Sequence, residues 1–200
     1  MNLKSTFGIL AAAVLTSTSA FAIEPGEVAP AFTLKNLEGK EVSLSDYAGK
    51  TVVLEWINFD CPFVQKHYQS GNMPGLQEKY TGKEVVWLSI QSGQEGNDNF
   101  PVADVLEDKA ESAGSKATAI LRDPGGEVGK AYGAKTTPHM FVINEDGKIA
   151  YAGGIDDKGD TKVESISTAT NYVSAALDSL AGGKEVEVMK AAPYGCGVKY

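Results

Sequence analysis

The sequence contains few cysteines, no cluster of basic residues and, after its N-terminal segment, no long apolar run. Its 200 residues include 2 cysteines, so at most one disulfide can form within the chain. The formal net charge is −8, which argues against partners with phosphate backbones or anionic membrane surfaces. Nothing after residue 22 is long and apolar enough for a transmembrane helix, so we expect no membrane insertion of the mature chain. The sequence also lacks internal repeats and phosphate-binding glycine motifs, so no organic cofactor is implied.

The N-terminal segment has the pattern of a secretory signal peptide. Lys4 supplies a positive charge, residues 7–15 form an apolar run too short to cross a bilayer, and residues 20–22 (Ala-Phe-Ala) form a small-x-small cleavage site. The alternative interpretation is a buried helix of the folded protein. We expect residues 1–22 to be removed, leaving an exported chain that begins near Ile23, with the Gram-negative periplasm as its location.

The apolar pattern of the mature region predicts alternating strands and helices. Residues 29–44 are expected to form a hairpin closed at Gly39, and residues 51–57 are typical of a strand buried on both faces. Further strands are predicted at residues 84–90, 119–121, 140–143 and 148–151. Helices are predicted at residues 61–80, with a kink or break at Gly71 and Pro74, at 101–113, at a short segment ending at Tyr132, and at 163–180. Residues 91–99 are predicted to be a loop, residues 123–126 a turn, and the C-terminal residues an irregular tail.

This order of elements predicts the fold class. A strand–helix–strand–helix run followed by a hairpin and a last helix implies an α/β protein with a mixed β-sheet, helices on both faces and an N-terminal β-hairpin. About 180 mature residues suit one domain with a sizeable core. We divide the chain into a signal peptide (1–22), one domain (23–183) and a C-terminal tail (184–200) that carries Cys196.

Cys61 is the first candidate functional residue. It follows the apolar run of residues 51–57 and precedes Pro62, where a helix is predicted to begin. The first turn of a helix has unpaired N–H groups and the positive end of the helix dipole, and both favour a thiolate over a thiol. The pattern therefore predicts a reactive sulfur.

Two separated motifs carry a resemblance to a known family. One is the apolar strand that leads to Cys61-Pro62; the other is Thr136-Thr137-Pro138 ahead of the predicted hairpin. Together they resemble the thioredoxin superfamily, and more narrowly the exported redoxins of the alkyl hydroperoxide reductase/thiol-specific antioxidant group. The resemblance implies a thioredoxin-like fold, Cys61 as the nucleophile, and a cis Thr137–Pro138 peptide beside it. Backbone next to a cis proline can pair with an incoming peptide or disulfide substrate, so Thr137, Pro138 and the neighbouring His139 are the predicted substrate-binding residues.

Three positions depart from the family pattern. The second active-site cysteine, three residues after the first, is Val64 here, so no disulfide can close inside the motif. Asp60 stands where an aromatic residue is common, and its charge is expected to oppose thiolate formation. The Pro and Thr that precede the peroxidatic cysteine of peroxiredoxins are Leu54 and Asn58, which weakens an assignment as a peroxidase.

Cationic and imidazole side chains near the motif allow several interpretations. On the helix after Cys61, Lys66 is expected to be solvated and His67 to serve packing rather than catalysis. His139 follows Pro138 and is expected to lie nearer to the sulfur, with a functional or a packing role. The two histidines and two cysteines also leave copper or zinc binding open as an alternative. Adjacent acids at 156–157 are expected to form a solvated turn.

Cys196 allows three interpretations, and the family resemblance extends to its surroundings. The closing residues Tyr194-Gly195-Cys196-Gly197 resemble the tails of a bacterial subgroup of these redoxins, which suggests that the two ends of the chain work together. Cys196 either resolves an intermediate on Cys61, or forms a permanent disulfide with it, or is a separate thiol. The flanking glycines allow close approach, and the aromatic rings of Tyr194 and Tyr200 are expected to dock the tail on the body.

The leading functional expectation is an antioxidant or thiol–disulfide oxidoreductase that uses Cys61, with Cys196 releasing the intermediate. Its substrate would be a disulfide-bearing protein or a small peroxide, and its electron donor a periplasmic or membrane dithiol protein. The alternatives are a non-catalytic binding module with a structural Cys61–Cys196 disulfide and, third, a copper chaperone.

Overall fold

A computed structural model describes residues 23–200, so the predicted signal peptide lies outside the described residues. The strands in chain order are β1 (Thr33–Asn36), β2 (Glu41–Ser43), β3 (Val52–Trp56), β4 (Val86–Gly93), β5 (Ala119–Pro124), β6 (Thr136–Thr137), β7 (His139–Ile143), β8 (Ile149–Gly153) and β9 (Cys196–Gly197). The α-helices are α1 (Pro62–Gln69), α2 (Asn72–Thr81), α3 (Ala103–Ser112), α4 (Glu127–Tyr132) and α5 (Tyr172–Ala181), with 3-10 helices at Leu44–Tyr47 and Val163–Thr168. Within the described part of the chain, no helix is long and apolar enough to cross a bilayer.

Seven strands form one mixed sheet in the order β2-β1-β5-β4-β3-β7-β8. The strands β3, β4 and β5 run parallel to one another, whereas β7 is antiparallel to β3 and β8 to β7. Every residue of β3 is buried, because the strand is central and covered on both faces. The continuous apolar run at residues 51–57 predicted this placement, and the prediction is confirmed.

The sheet separates two hydrophobic layers. On one side, Val53 and Trp87 pack with residues of α1, α2, α3 and α5. On the other side, Leu54 and Leu88 pack with Tyr132 of α4 and with the β1–β2 hairpin. Neighbouring residues of a strand point to opposite faces, which is why consecutive apolar residues feed both layers. The predicted α/β arrangement, with helices on both faces and an N-terminal hairpin, is confirmed.

Two predicted helices are each divided in the structure. The segment at 61–80 breaks at Gly71, which has a positive φ of 72° that suits glycine. Pro74 does not cause the break, because it lies in the first turn of α2, where a missing N–H is tolerated. The segment at 163–180 begins as the 3-10 helix, and α5 starts anew at Asn171, whose side chain accepts a 2.8 Å hydrogen bond from the Ser174 N–H.

The strands β4 and β5 extend beyond their predicted ends. Residues 91–93, predicted as the start of a loop, continue the parallel ladder of β4 with residues 122–124 of β5. The Ser92 hydroxyl donates to the Asp123 carboxylate at 2.6 Å and accepts from the Trp56 indole at 2.9 Å. These polar residues belong to the sheet because their side chains are paired inside it, which a hydrophobicity pattern does not indicate.

Candidate active site

Cys61 occupies the N-cap position of α1, at the carboxyl end of β3. The chain turns from strand to helix through Asn58, whose side chain accepts a hydrogen bond from the Asp60 N–H at 2.9 Å and whose carbonyl accepts from the Cys61 N–H at 3.0 Å. Pro62 then opens the helix with a φ already suited to it. The predicted position of Cys61 at a helix start is confirmed, and only 2% of the residue is exposed.

The predicted cis peptide between Thr137 and Pro138 is confirmed. It connects β6 to β7, and the Cys61 thiol donates to the Thr137 carbonyl oxygen at 3.0 Å. The Thr137 hydroxyl is buried and has no nitrogen or oxygen partner among the described residues. The structure therefore brings the two separated motifs together, although they are 76 residues apart in the chain.

The tail (184–200) is not irregular as predicted: part of it forms a strand. Within it, β9 pairs antiparallel with β6, and Cys196 lies opposite Thr137 in the register. Gly195 packs so closely on the cis peptide that a Cβ built there would lie 2.1 Å from the Thr137 carbonyl oxygen. Cys61 and Cys196 are both free thiols, and Cys196 packs against the hydrophobic cluster that contains Cys61. The register that places them together was not predictable from so short a segment.

The two thiols have opposite pKa shifts. Burial raises the pKa of Cys61, but hydrogen bonds, the largest of them from the Cys196 side chain, outweigh burial and leave the pKa below its usual value. Burial, the hydrogen bond to Cys61 and the charge of Cys61 raise the pKa of Cys196 to about 11. Of the two sulfurs, Cys61 is therefore the one that loses its proton more readily, and the Cys61 thiolate is the form that a Cys196 thiol would stabilise by donating to it.

Asp60 does not stand unpaired beside the sulfur. Its carboxylate forms an ion pair with Lys109 of α3, at 2.5 Å between Oδ2 and Nζ. The expectation that Asp60 opposes thiolate formation is therefore not supported, because the lysine offsets its charge. The pair lines a groove of about 510 Å³ between α1 and α3, together with Phe59, Tyr68 and Val105.

His139 was expected to come nearer to the sulfur than Lys66 and His67, but its side chain points to the other face of the sheet. It stacks on Phe141 with ring centroids 4.6 Å apart, on the face of β7 opposite to Met140, which packs in the cluster of Cys61. Its Nδ1 accepts from the Lys135 N–H at 3.1 Å. Strand alternation begins directly after the cis proline and turns this first side chain away. Burial and the charge of Lys135 lower its pKa to about 3.

Lys66 and His67 are both buried, so the expectation of a solvated Lys66 is wrong. The Lys66 ammonium donates to the Lys158 carbonyl at 2.6 Å and lies 3.9 Å from a carboxylate oxygen of Asp160. Burial and the charge of Lys66 lower the pKa of His67 to about 3. Both residues are covered by the tail, through contacts to Tyr194.

Glu55 is a residue of this region that the sequence analysis missed. It lies in the middle of β3 with no exposed surface, on the same side of the sheet as Val53. Burial raises its pKa, and hydrogen bonds from other side chains partly offset that effect. The donors are Tyr68 at 3.1 Å, Gln77 at 3.1 Å, Trp87 at 2.8 Å and Ser89 at 2.9 Å. A single acid inside an otherwise apolar strand was a signal in the sequence that should have marked it.

Asp156 also differs from its prediction. It was expected in a solvated turn, but it is 2% exposed, and its carboxylate accepts from the Tyr194 hydroxyl at 2.5 Å. The predicted docking of both aromatic residues of the tail is confirmed: the Tyr200 hydroxyl donates to the Ala134 carbonyl at 2.6 Å, and its ring lies against Gly126 and Gly129.

Metal binding by the histidines and cysteines finds no geometric support in residues 23–200. No group of three or more His, Cys, Asp or Glu side chains in that range is arranged to hold a metal ion. His139 and Cys61 lie on different sides of the sheet. The reactive groups that the structure brings together are two adjacent thiols, with the lowered pKa at Cys61 and the raised pKa at Cys196.

Comparisons with known proteins agree with this geometry. The chain is 31% identical to the thiol-disulfide oxidoreductase ResA of Bacillus thuringiensis subsp. konkukian over 129 residues, which are 64% of this chain and 68% of that protein. It is 29% identical over 148 residues to the putative peroxiredoxin MT2597 of Mycobacterium tuberculosis, covering 65% of this chain and 84% of that protein.

A solved structure shows a likeness that extends over most of the molecule. The crystal structure of an uncharacterized conserved protein from Geobacillus kaustophilus matches with a TM-score of 0.73 at 30% identity, over 88% of this chain and 92% of that chain. The predicted thioredoxin-like fold is confirmed by such structural neighbours. The sequence profile of the AhpC/TSA family matches residues 25–152, a range that contains Cys61 and Pro138 and ends before the tail. The chain therefore belongs to the AhpC/TSA family of thioredoxin-like proteins.

Proposed function

We propose that this protein is an exported thiol–disulfide oxidoreductase in which Cys61 is the nucleophile and Cys196 resolves the intermediate. One observation carries the proposal: β9 pairs with β6 so that Cys196 lies opposite Thr137, whose carbonyl contacts the Cys61 sulfur. The lowered pKa of Cys61 supports its role, since the thiolate is the attacking form. The signal-peptide pattern of residues 1–22 supports export to the periplasm.

In the proposed reaction, the Cys61 thiolate attacks one sulfur of a substrate disulfide. The substrate S–S bond breaks, one substrate thiolate leaves and takes up a proton, and Cys61 holds the other half as a mixed disulfide. Cys196, after losing its proton, attacks the Cys61 sulfur and releases the second substrate thiol. The substrate gains two electrons, and the enzyme ends with a Cys61–Cys196 disulfide.

A small hydroperoxide is the second possible oxidant. The Cys61 thiolate would attack the terminal oxygen, the O–O bond would break to release an alcohol, and Cys61 would become a sulfenic acid that condenses with the Cys196 thiol to give the disulfide and water. Leu54 and Asn58 replace the Pro and Thr of peroxiredoxins, so we place disulfide exchange first. In both cases a periplasmic or membrane dithiol protein would return the two electrons.

The non-catalytic alternative is a binding module that holds an extended peptide at the cis proline. The tail already occupies the backbone edge that such a peptide would need, because Thr136 and Thr137 pair with Cys196 and Gly197. A protein substrate of the enzyme would meet the same obstacle, so what favours the enzyme over the module is the presence of two adjacent free thiols with opposite pKa shifts.

The test measures turnover and reduction potential on the same protein. Purified wild type and Cys61→Ser are assayed with a dithiol reductant and, in turn, with glutathione disulfide, a protein disulfide and hydrogen peroxide. We expect turnover that Cys61→Ser abolishes and a potential above about −300 mV, in the range of labile disulfides. A potential below that value, together with no turnover of any oxidant, would favour a structural disulfide and reject the proposal.

A further inference from the structure

We infer that Tyr194 is a positioning residue whose phenol holds the tail on the helix of Cys61, and so sets how readily Cys196 reaches the Cys61 sulfur. The inference rests on the proposed function, because it concerns the exchange between these two cysteines. It assigns a role to a cluster of buried polar side chains, Lys66, His67 and Asp156, that the reaction itself does not use.

The Tyr194 side chain is held on several sides by the body of the protein. Its hydroxyl lies 2.5 Å from Asp156 Oδ1 and 3.0 Å from His67 Nε2. Its ring lies under the Lys66 ammonium, 5.2 Å from centroid to nitrogen, and 6.1 Å from the Phe63 ring. A hydroxyl bonded to a buried carboxylate belongs to the stronger class of hydrogen bond, so this contact is expected to fix the tail firmly.

The direction of each hydrogen bond in this cluster follows from its neighbours. The Asn72 amide donates to His67 Nδ1 at 2.9 Å, so the proton of the neutral imidazole is on Nε2. That proton is donated to the Tyr194 oxygen, which leaves the phenolic hydrogen for Asp156. The pKa of His67, about 3, keeps the imidazole neutral at physiological pH. The chain of donors from Asn72 to Asp156 is therefore complete, and His67 and Tyr194 each have one partner on each side.

The partner carboxylate depends on this hydrogen bond. Asp156 is 2% exposed, and its Oδ1 also accepts from the Lys158 N–H at 2.8 Å. Its Oδ2 has no hydrogen-bond partner among residues 23–200. Removing the Tyr194 hydroxyl would leave the buried Asp156 carboxylate with one hydrogen bond fewer, so docking of the tail would release less free energy.

The contacts of Tyr194 connect Cys196 to α1, the same helix that begins at Cys61. Lys66 and His67 lie on α1, and Cys61 is the N-cap of that helix. Tyr194 is separated from Cys196 by Gly195 alone, and Gly195 is pressed against the Thr137 carbonyl with no room for a Cβ. Because Gly195 is confined against Thr137, the backbone between Tyr194 and Cys196 has little freedom to move. The position of Tyr194 therefore determines the position of Cys196.

The test is a thiol–disulfide equilibrium with glutathione, measured on wild type, Tyr194→Phe and a matched control, Tyr47→Phe. Tyr47 lies beside the start of β3, at the opposite end of that strand from Cys61. For Tyr194→Phe we expect the equilibrium constant for the Cys61–Cys196 disulfide to fall by about tenfold to a hundredfold, which makes the potential about 30 to 60 mV more positive. Tyr47→Phe is expected to match wild type.

A second readout follows the tail in the reduced protein. Cys61 is almost inaccessible while the tail is docked, so its alkylation requires opening. In a Cys196→Ser background, we expect Tyr194→Phe to accelerate Cys61 alkylation by about tenfold or more. If Tyr194→Phe does not fold, Asp156→Asn decides instead: it keeps an acceptor without charge and is expected to lower the disulfide equilibrium constant by about threefold to tenfold.

The outcomes separate this inference from the proposed function. An unchanged disulfide equilibrium constant in Tyr194→Phe, or in Asp156→Asn where that variant decides, overturns the positioning role whatever the alkylation rate. If the wild type forms no Cys61–Cys196 disulfide in any glutathione buffer, the proposed function fails and the positioning role fails with it.

Discussion

The two cysteines of this protein are held in different ways. Cys61 is fixed in the body of the protein: it follows β3, it is the N-cap residue of α1, and 2% of it is exposed. Cys196 is carried by a two-residue strand of the tail and is only partly buried. The difference shows that the reactivity of one sulfur comes from its local surroundings, whereas the usefulness of the other comes from placement by distant contacts.

The pKa values of the two cysteines also differ. Hydrogen bonds keep the pKa of Cys61 below its usual value despite burial, and burial together with Cys61 raises the pKa of Cys196 to about 11. A thiol of lower pKa is also the better leaving group. In a Cys61–Cys196 disulfide, an incoming reductant is therefore expected to attack the more exposed Cys196 and release Cys61.

The largest expected effect comes from removing each sulfur in turn. Cys61→Ser is expected to abolish turnover, because the remaining thiol, Cys196, lacks the lowered pKa of Cys61. Cys196→Ser is expected to stop turnover as well, but only after Cys61 has formed a mixed disulfide with the substrate. Intact-mass spectrometry after exposure to glutathione disulfide distinguishes the two. A Cys196→Ser protein that forms no adduct while Cys61 is intact would contradict the assigned roles.

The second effect tests the placement of Cys196 directly. Gly195 has a φ of 140°, and Gly195→Ala would put a Cβ 2.1 Å from the Thr137 carbonyl oxygen. We therefore expect β9 to separate from β6 in this variant. We expect the disulfide equilibrium constant to fall by about a hundredfold or more. Gly197→Ala is the matched control, since a Cβ there meets nothing within 4 Å. Equal behaviour of the two variants in the glutathione assay would reject the placement argument.

The third effect concerns the buried carboxyl group beneath α1. Because burial raises the pKa of Glu55 above 4.5, the folded state holds a proton that the unfolded state loses. The unfolding free energy of the wild type is therefore expected to decrease as pH rises from 4.5 towards the folded pKa. Glu55→Gln removes this slope, and the mismatch of its amide with four donors is expected to cost about 1–3 kcal/mol. Urea unfolding of wild type and Glu55→Gln across this pH range measures the slope and the cost. A difference in unfolding free energy between the two proteins that does not change with pH would contradict the raised pKa of Glu55.

The two histidines are expected to have the smallest effect on the reaction near neutral pH. Burial first, and a neighbouring lysine second, lower the pKa of both His67 and His139 to about 3. Neither ring is expected to titrate between pH 5 and 8, and the unfolding free energy is expected to decrease as pH falls below 6.5, where only the unfolded chain gains these protons. NMR shifts of the imidazole C–H groups test this, and a midpoint near pH 6.5 for either ring would show that it is solvated.

Much of the fold followed from local pattern, as β3 and α1 illustrate. The apolar run before Cys61 indicated a central strand, and the following Pro62 indicated a helix start, because both signals act over a few residues. His139 was misplaced because its neighbour in sequence, Pro138, does contact the site, while strand alternation turns the next side chain to the other face.

Other features depend on contacts that no short segment encodes. Lys66 looks like an ordinary surface lysine, yet it is buried, with its ammonium against the Lys158 carbonyl and over the ring of Tyr194, both far along the chain. The position of Cys196 depends on the pairing of β9 with β6, and the docking of the tail depends on glycines of the body, such as Gly126 and Gly129, that leave room for the Tyr200 ring. Glu55 differs, since its setting in an apolar strand was visible and its burial was predictable.

The most direct test of the central claim is to map the product when wild-type protein meets one equivalent of glutathione disulfide. We expect a peptide pair linked through Cys61 and Cys196, two released glutathione molecules, and full return to two thiols with a dithiol reductant. A stable glutathione adduct on Cys61 with Cys196 still free would contradict this expectation, because the tail sulfur would then not reach the sulfur of the body.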